Sequence, residues 1–189
     1  LCGLGRAVAG QLDLAVTAGR KLSVLGSTGS VGVNTVDLID HHNTSVPGTY
    51  RVVALTAKSN VRELAAQARR LKPAFVAVAD PSAYADLKQE LGGTSIKLAA
   101  GAEAVEEAAA MDADWVMASI MGAAGLRPTL AAVSRGVTVS LANKECLVCA
   151  GDLFMREVRR SGATLLPVDS EHNAVFQVFD ARQAAAIES

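Results

Sequence analysis

Gly26-Ser27-Thr28-Gly29-Ser30-Val31-Gly32 is the first segment whose residue types and spacing point to chemistry. Its GxxGxxG spacing is a variant of the GxGxxG fingerprint of dinucleotide-binding turns. Glycines permit a tight turn and let backbone N–H groups approach a pyrophosphate; a helix starting behind the turn adds the positive end of its dipole. A plain glycine turn is the alternative. The second segment is Thr56-Ala57-Lys58-Ser59-Asn60. A site for NAD usually carries Asp or Glu here to bind the ribose 2′-hydroxyl. This one has no carboxylate to repel a 2′-phosphate. Lys58 offers a charge, and Ser59 and Asn60 offer hydrogen bonds, which favours NADP(H). Ser59 and Asn60 also suit a helix cap, and the two roles are compatible.

Two polar clusters follow. Asn143, Lys144 and Glu145 leave a predicted strand at the edge where open parallel sheets bind ligands. Lys144 suits a phosphate or an oxyanion; a solvated loop is the even alternative. Asp169 and Glu171 leave another predicted strand two residues apart. On a continuing strand they would share a face, and on a turn they would converge on one ion. Two oxygen ligands suit Mg²⁺ or Mn²⁺, with water and substrate completing the shell. His172 is read as a helix-start or packing residue rather than a ligand. His41 and His42 are read as partners of a helix C-terminus, because adjacent helical residues do not face one metal. Cys146 and Cys149 form a CxxC, read as ordinary helix-start residues rather than a redox pair.

The elements that must position these residues alternate. Predicted strands cover 22–25, 51–57, 75–79, 96–99, 115–120, 137–141 and 164–168. Predicted helices cover 31–42, 60–71, the segment from Asp80-Pro81 to Gly92, 102–110, 126–135 and 149–161. Apolar strands alternating with helices imply an α/β, Rossmann-like, doubly wound and mostly parallel sheet. The composition agrees: of 189 residues, half are hydrophobic, only 4% are aromatic and 16 are Gly, so Val, Ala and Leu must build the core. The net charge of −1 gives no electrostatic reason for a nucleic-acid partner or a membrane surface. No apolar run nears the roughly 20 residues that span a bilayer. Three cysteines do not make a secreted disulfide framework, which points to a reducing compartment, the cytoplasm.

The sequence begins at Leu1 and stops at Ser189 in an alanine-rich stretch, so both ends read as cut. Residues 1–20 read as an extension of unknown role; a transit peptide for a plastid-type organelle is the alternative. Residues 21–163 read as the nucleotide-binding domain, and 164–189 as the start of a second, truncated one.

Five separated motifs occur in one order: GSTGSVG at 26–32, ALTAKSN at 54–60, MASIMGAAGL at 117–126, LANKE at 141–145 and LLPVDSEHNA at 165–174. Together they resemble the 1-deoxy-D-xylulose 5-phosphate reductoisomerase family from about Lys21 to Phe176. The resemblance implies an NADPH-dependent oxidoreductase of isoprenoid precursor synthesis that also needs a divalent cation (Mg²⁺, Mn²⁺ or Co²⁺). It implies that Gly26, Thr28, Gly29, Ser30 and Val31 hold the NADPH phosphates. Lys58, Ser59 and Asn60 would hold the adenosine end, with Asn143 and Glu145 beside the cofactor. Lys144 and Ser170 would touch a phosphorylated sugar, and Asp169 and Glu171 would bind the metal, Glu171 also meeting the substrate. It further implies a homodimer as the full-length protein. Cys146 stands where the family usually has Ser, and Lys58 where it often has Gly. A further metal-binding Glu, a lid and a helical region of the family lie beyond this sequence. Two other readings are a non-catalytic NADP(H)-binding fragment and another NADP-dependent oxidoreductase, such as an aspartate-semialdehyde-dehydrogenase-like one that needs a catalytic Cys.

Overall fold

A computed structural model of the chain describes residues 19–178. Seven strands and seven helices alternate through them. The first half comprises β1 (Arg20–Leu25), α1 (Ser30–Ser45), β2 (Tyr50–Ala57), α2 (Val61–Leu71), β3 (Phe75–Val78), α3 (Tyr84–Glu90) and β4 (Lys97–Ala100). The second comprises α4 (Ala102–Ala110), β5 (Trp115–Ala118), α5 (Leu126–Ser134), β6 (Thr138–Leu141), α6 (Glu145–Ser161), β7 (Thr164–Pro167) and α7 (Ser170–Val178). Single 3₁₀ turns at Pro81–Ala83 and Ala123–Gly125 lead into α3 and α5.

The strands form one sheet in the order β4-β3-β2-β1-β5-β6-β7. Every pairing is parallel, so the expected "mostly parallel" sheet is parallel throughout the described residues. The chain winds outward from β1 to one edge, returns to β5 on the other flank of β1, and winds outward again. Crossover helices therefore cover both faces. β3 shows why its side chains are apolar on both sides: Phe75 and Ala77 enter a core shared with α4, α5 and α6 through Ala108, Val133 and Phe154. Val76 and Val78 enter the opposite core, with Val36 of α1, Leu64 of α2 and Leu87 of α3. A strand buried on two faces has no polar side to show.

Local chemistry sets the helix ends. Asn60 accepts the Glu63 N–H at 3.3 Å and starts α2. The Glu63 carboxylate accepts Gln67 Nε2 at 3.2 Å instead of turning back, so only half of a capping box forms. Asp80 accepts the Ser82 N–H at 2.9 Å and caps the segment that starts there, although one 3₁₀ turn precedes the α-helix.

Two elements depart from the sequence-based expectation. The helix expected from Cys149 begins four residues earlier, at Glu145, and Ala150 (φ −143°, ψ 28°) breaks its helical geometry. The sequence signal covered only the part beyond that kink. α7 was not among the predicted helices, although His172 was read as a helix-start or packing residue; its 9 residues are too few to carry a clear helical period. Among the described residues, no helix is long and apolar enough to cross a membrane.

Candidate functional site

The reversal of strand order lies between β1 and β5, and their carboxyl ends open a crevice between loops that leave in opposite directions. The Gly turn sits there. Gly26 takes a left-handed φ of +80°, which is costly for residues with a Cβ. Its N–H donates to Thr56 Oγ1 at 3.0 Å, and the Ser27 N–H donates to the Thr56 carbonyl at 2.8 Å. Thr56 thus pins the turn to the end of β2. Gln67 of α2 adds a bond from Nε2 to the Ser27 carbonyl at 3.0 Å. The turn is held from behind, which leaves its outer side free.

Two glycines of this turn do different work. A Cβ at Gly32 would overlap the Gly26 carbonyl oxygen and lie 2.6 Å from Ser27 Cα, so α1 packs this close only without a side chain. A Cβ at Gly29 would meet nothing nearer than the Gly26 carbonyl oxygen at 3.5 Å. Gly29 is exposed, directly precedes α1, and adopts φ −79°, ψ 169°, which any residue tolerates. The fold does not require glycine there, whereas an anion on the turn would.

At the end of β2, Lys58, Ser59 and Asn60 are exposed. Ser59 and Asn60 join Arg62 along a shallow hollow of about 420 Å³ between α2 and α3. The Lys58 carbonyl accepts the Asp80 N–H at 2.9 Å, tying the loops after β2 and β3 together. The Ser82 hydroxyl and N–H hold the Asp80 carboxyl below the ordinary carboxylate range, and the Lys58 charge assists. A hollow of about 580 Å³ lined by Lys21, Tyr50 and Arg51 lies at the opposite, amino edge of the sheet, away from this site.

The segment after β6 divides its three polar residues. Lys144 is exposed and directly precedes α6; Glu145, half-buried, opens the helix. Asn143 is only 2% exposed. Its Nδ2 donates to the carbonyls of Ile120 and Gly122 at 2.6 and 2.9 Å, and its Oδ1 accepts the Glu145 N–H at 3.0 Å. Both amide hydrogens thus bond carbonyls of the loop after β5.

Asp169 lies in the bend that precedes α7, and Glu171 lies in the first turn of that helix. Asp169 Oδ1 accepts the His172 N–H at 3.0 Å and meets His172 Nδ1 at 2.6 Å. His172 is therefore the helix-start residue expected of it. Burial pushes the Asp169 carboxyl up, but the His172 backbone and ring bonds outweigh this and leave it below its ordinary value. Glu171 is exposed. Among the described residues, no three His, Cys, Asp or Glu side chains gather where they could hold a metal.

The sequence model of 1-deoxy-D-xylulose 5-phosphate reductoisomerase matches residues 22–151, more than half of the chain. The chain belongs to this family. The reductoisomerase of Rhodospirillum centenum is 63% identical over 168 residues, which are 89% of this chain and 41% of that protein. The chain thus spans about two fifths of the length of such relatives. The solved reductoisomerase of Zymomonas mobilis in complex with NADPH is 53% identical with a TM-score of 0.83, over 87% of this chain and 42% of that one. A reductoisomerase structure in complex with magnesium is 42% identical with a TM-score of 0.81, over 89% of this chain and 42% of that one.

Within the family domain, four contributors escaped sequence reading: Thr56, Gln67, Ser119 and Gly125. Ser119 Oγ donates to the Leu25 carbonyl at 2.7 Å and reaches the Gly26 carbonyl at 3.3 Å. A Cβ at Gly125 would strike Asn143 Nδ2 and the Ile120 carbonyl oxygen. Thr56 lay inside the ALTAKSN motif, and Ser119 and Gly125 inside MASIMGAAGL, so their positions were visible, but their contacts were not. The cysteines divide as well: Cys146 is buried and Cys149 exposed. Burial pushes the Cys146 thiol up, against a hydrogen bond with Thr129.

Proposed function

We propose that the chain is the NADPH-binding portion of an enzyme that converts 1-deoxy-D-xylulose 5-phosphate to 2-C-methyl-D-erythritol 4-phosphate. The observation that carries this reading is the Gly turn, held from behind and open at Gly29, at the strand-order reversal of a domain of this family. Thr28, Gly29, Ser30 and Val31 would receive the phosphates at the start of α1, where backbone N–H groups and the helix dipole favour an anion. Lys58, Ser59 and Asn60 would receive the 2′-phosphate, with no acid at the end of β2 to oppose it. Glu145 would lie beside the cofactor and Lys144 would hold an anionic oxygen of the phosphorylated sugar. Asp169 and Glu171 are hard oxygen donors suited to Mg²⁺, Mn²⁺ or Co²⁺, with Ser170 and Glu171 facing the substrate. When bound, the nicotinamide supplies a hydride and the cation polarises substrate oxygens. The protein's part is to orient both and to exclude competing contacts.

The division of the chain near residue 163 belongs to the same proposal. β7 pairs with β6 in the one sheet, so a catalytic domain starting there would grow from the sheet edge. Homodimer formation and a cytoplasmic location are likewise proposed, on the resemblance and on the sparse cysteines.

A specific observation favours a second reading, a chain that binds NADP(H) without turnover: the described residues gather no three metal-capable side chains. A dehydrogenase with a cysteine nucleophile fits less well, because Cys146 is buried with its thiol pushed up. Titration with each reduced cofactor, followed by nicotinamide fluorescence, tests the reading. NADPH should bind at least about tenfold more tightly than NADH, on the scale of one charge-assisted contact. Equal affinity, or a preference for NADH, would overturn the assignment of Lys58, Ser59 and Asn60.

A further inference from the structure

A run of hydrogen bonds through α2 joins the Gly turn to the segment 58–60. Ser27 of the turn is gripped on three sides. Its N–H donates to the Thr56 carbonyl at 2.8 Å, its Cα lies 2.6 Å from where a Cβ at Gly32 would stand, and its carbonyl accepts Gln67 Nε2 at 3.0 Å. Gln67 Nε2 also donates to Glu63 Oε1 at 3.2 Å. The Glu63 N–H in turn donates to Asn60 Oδ1 at 3.3 Å, at the start of α2. We propose that Gln67 is a positioning residue: through Glu63 it fixes the spacing between the turn that takes the pyrophosphate and the helix start that takes the 2′-phosphate, and so sets the preference for NADPH over NADH. The inference rests on the NADPH reading above and gives that site a specificity determinant that does not itself touch the cofactor.

The chemistry of the side chain supports this role. Gln67 is buried, 40 residues from Ser27 in the chain. Its Oε1 has no hydrogen-bond partner among the described residues. Packing alone would favour a leucine, which has no oxygen to leave unpaired. What the carboxamide adds is two donors on one nitrogen, able to join two acceptors. A dinucleotide with a 2′-phosphate is a two-point ligand. It gains from both points only when their spacing on the protein matches their spacing on the ligand. NADH lacks the 2′-phosphate and gains from the turn alone. A turn that is merely loosened would weaken both cofactors alike, whereas a lost spacing weakens NADPH in particular.

Titration of the 189-residue chain and its variants with NADPH and with NADH, followed by nicotinamide fluorescence, is the test. Gln67→Met keeps the length of the side chain and removes both donors. It should raise the NADPH Kd about tenfold, the scale of one buried hydrogen bond, and the NADH Kd less than about threefold. Glu63 stands in the middle of the run. Glu63→Gln keeps an acceptor without the charge and is the reference for Glu63→Ala, which keeps neither. The preference for NADPH should be about threefold lower in Glu63→Ala than in Glu63→Gln, on the scale of a half-exposed bond. The double variant of Glu63→Ala and Gln67→Met should be no worse than Gln67→Met, because both break one run. Equal weakening of the two cofactors in Gln67→Met, or an unchanged NADPH Kd, overturns the proposal. If Gln67→Met does not fold, the two Glu63 variants carry the test, and an equal preference in both overturns it. If the wild-type chain binds no NADPH, or shows no preference for it, the functional reading fails separately. The link is then judged on cofactor-free amide exchange. A rise of about tenfold over 26–32 in Gln67→Met, or in Glu63→Ala against Glu63→Gln, supports it, and no rise overturns it.

Discussion

Gly29 and Gly32 lie three residues apart in one turn, and the structure predicts opposite outcomes for a side chain at each. At Gly32 the added Cβ meets backbone: the Gly26 carbonyl oxygen, Ser27 Cα at 2.6 Å and the Ser27 carbonyl carbon at 2.7 Å. These atoms belong to a turn bonded to Thr56 and Gln67 and cannot swing aside as a flexible side chain would. Forced overpacking of this kind costs about 1–3 kcal/mol. For a chain of this size each kcal/mol shifts Tm by about 2–4 °C, so Gly32→Ala should lower Tm by about 2–12 °C. Separation of α1 from the turn should weaken NADPH binding as well. At Gly29 the nearest contact of a Cβ is an ordinary one, 3.5 Å, and the backbone conformation is extended. Gly29→Val should therefore hold Tm within about 2 °C, as for an unstrained surface change. Its branched side chain would occupy the space of a pyrophosphate and should abolish NADPH binding. Thermal unfolding and fluorescence titration of both variants separate fold from site. Wild-type NADPH affinity in Gly29→Val would refute the placement of the phosphates. Wild-type stability in Gly32→Ala would refute the close-packing argument.

Three further outcomes follow from the structure. The chain should bind Mn²⁺ or Mg²⁺ weakly, because among the described residues the proposed site offers Asp169 and Glu171 alone and Asp169 already engages His172; Mn²⁺ titration by electron paramagnetic resonance should lose this binding in Asp169→Asn while NADPH affinity is retained. Tight binding by Asp169→Asn would exclude this pair as the ligands. Cys149 should react with a maleimide in the folded chain and Cys146 only after unfolding, as peptide mapping would show; equal labelling would contradict the packing of α6 on the core. Arg160, with help from Ser134, holds the Glu157 carboxyl down at about 2, against an ordinary value of 4.5. A depressed carboxylate stabilises the fold above its ordinary value and loses that contribution as pH falls toward its folded one. Carboxyl NMR should find Glu157 ionised at pH 3.5, and Arg160→Ala should return its titration toward 4.5.

Strand and helix order, the parallel sheet and the Gly turn were legible in the sequence because each rests on local pattern. Phe75-Val-Ala-Val78 is apolar at every position, and only a strand covered on both faces needs that. Asn60 and Asp80 announced helix starts through side chains that bond within three residues of themselves. The absence of an acid after β2 is likewise a fact of sequence, as is the order of the five motifs that pointed to the family.

Tertiary structure decided what spans many residues. Thr56 and Gln67 support the Gly turn from 30 and 40 residues away, and no periodicity signals such bonds. Asn143 was visible at a strand's carboxyl end; its bonds to the carbonyls of Ile120 and Gly122, 23 and 21 residues away, were not, because no local pattern signals them. Sequence alone determined which groups reach the carboxyl edge of the sheet, since strand ends and turn chemistry are local. Which of those groups stay free for a ligand was decided by contacts between distant segments, because each hydrogen bond made inside the protein removes a donor or acceptor from the site.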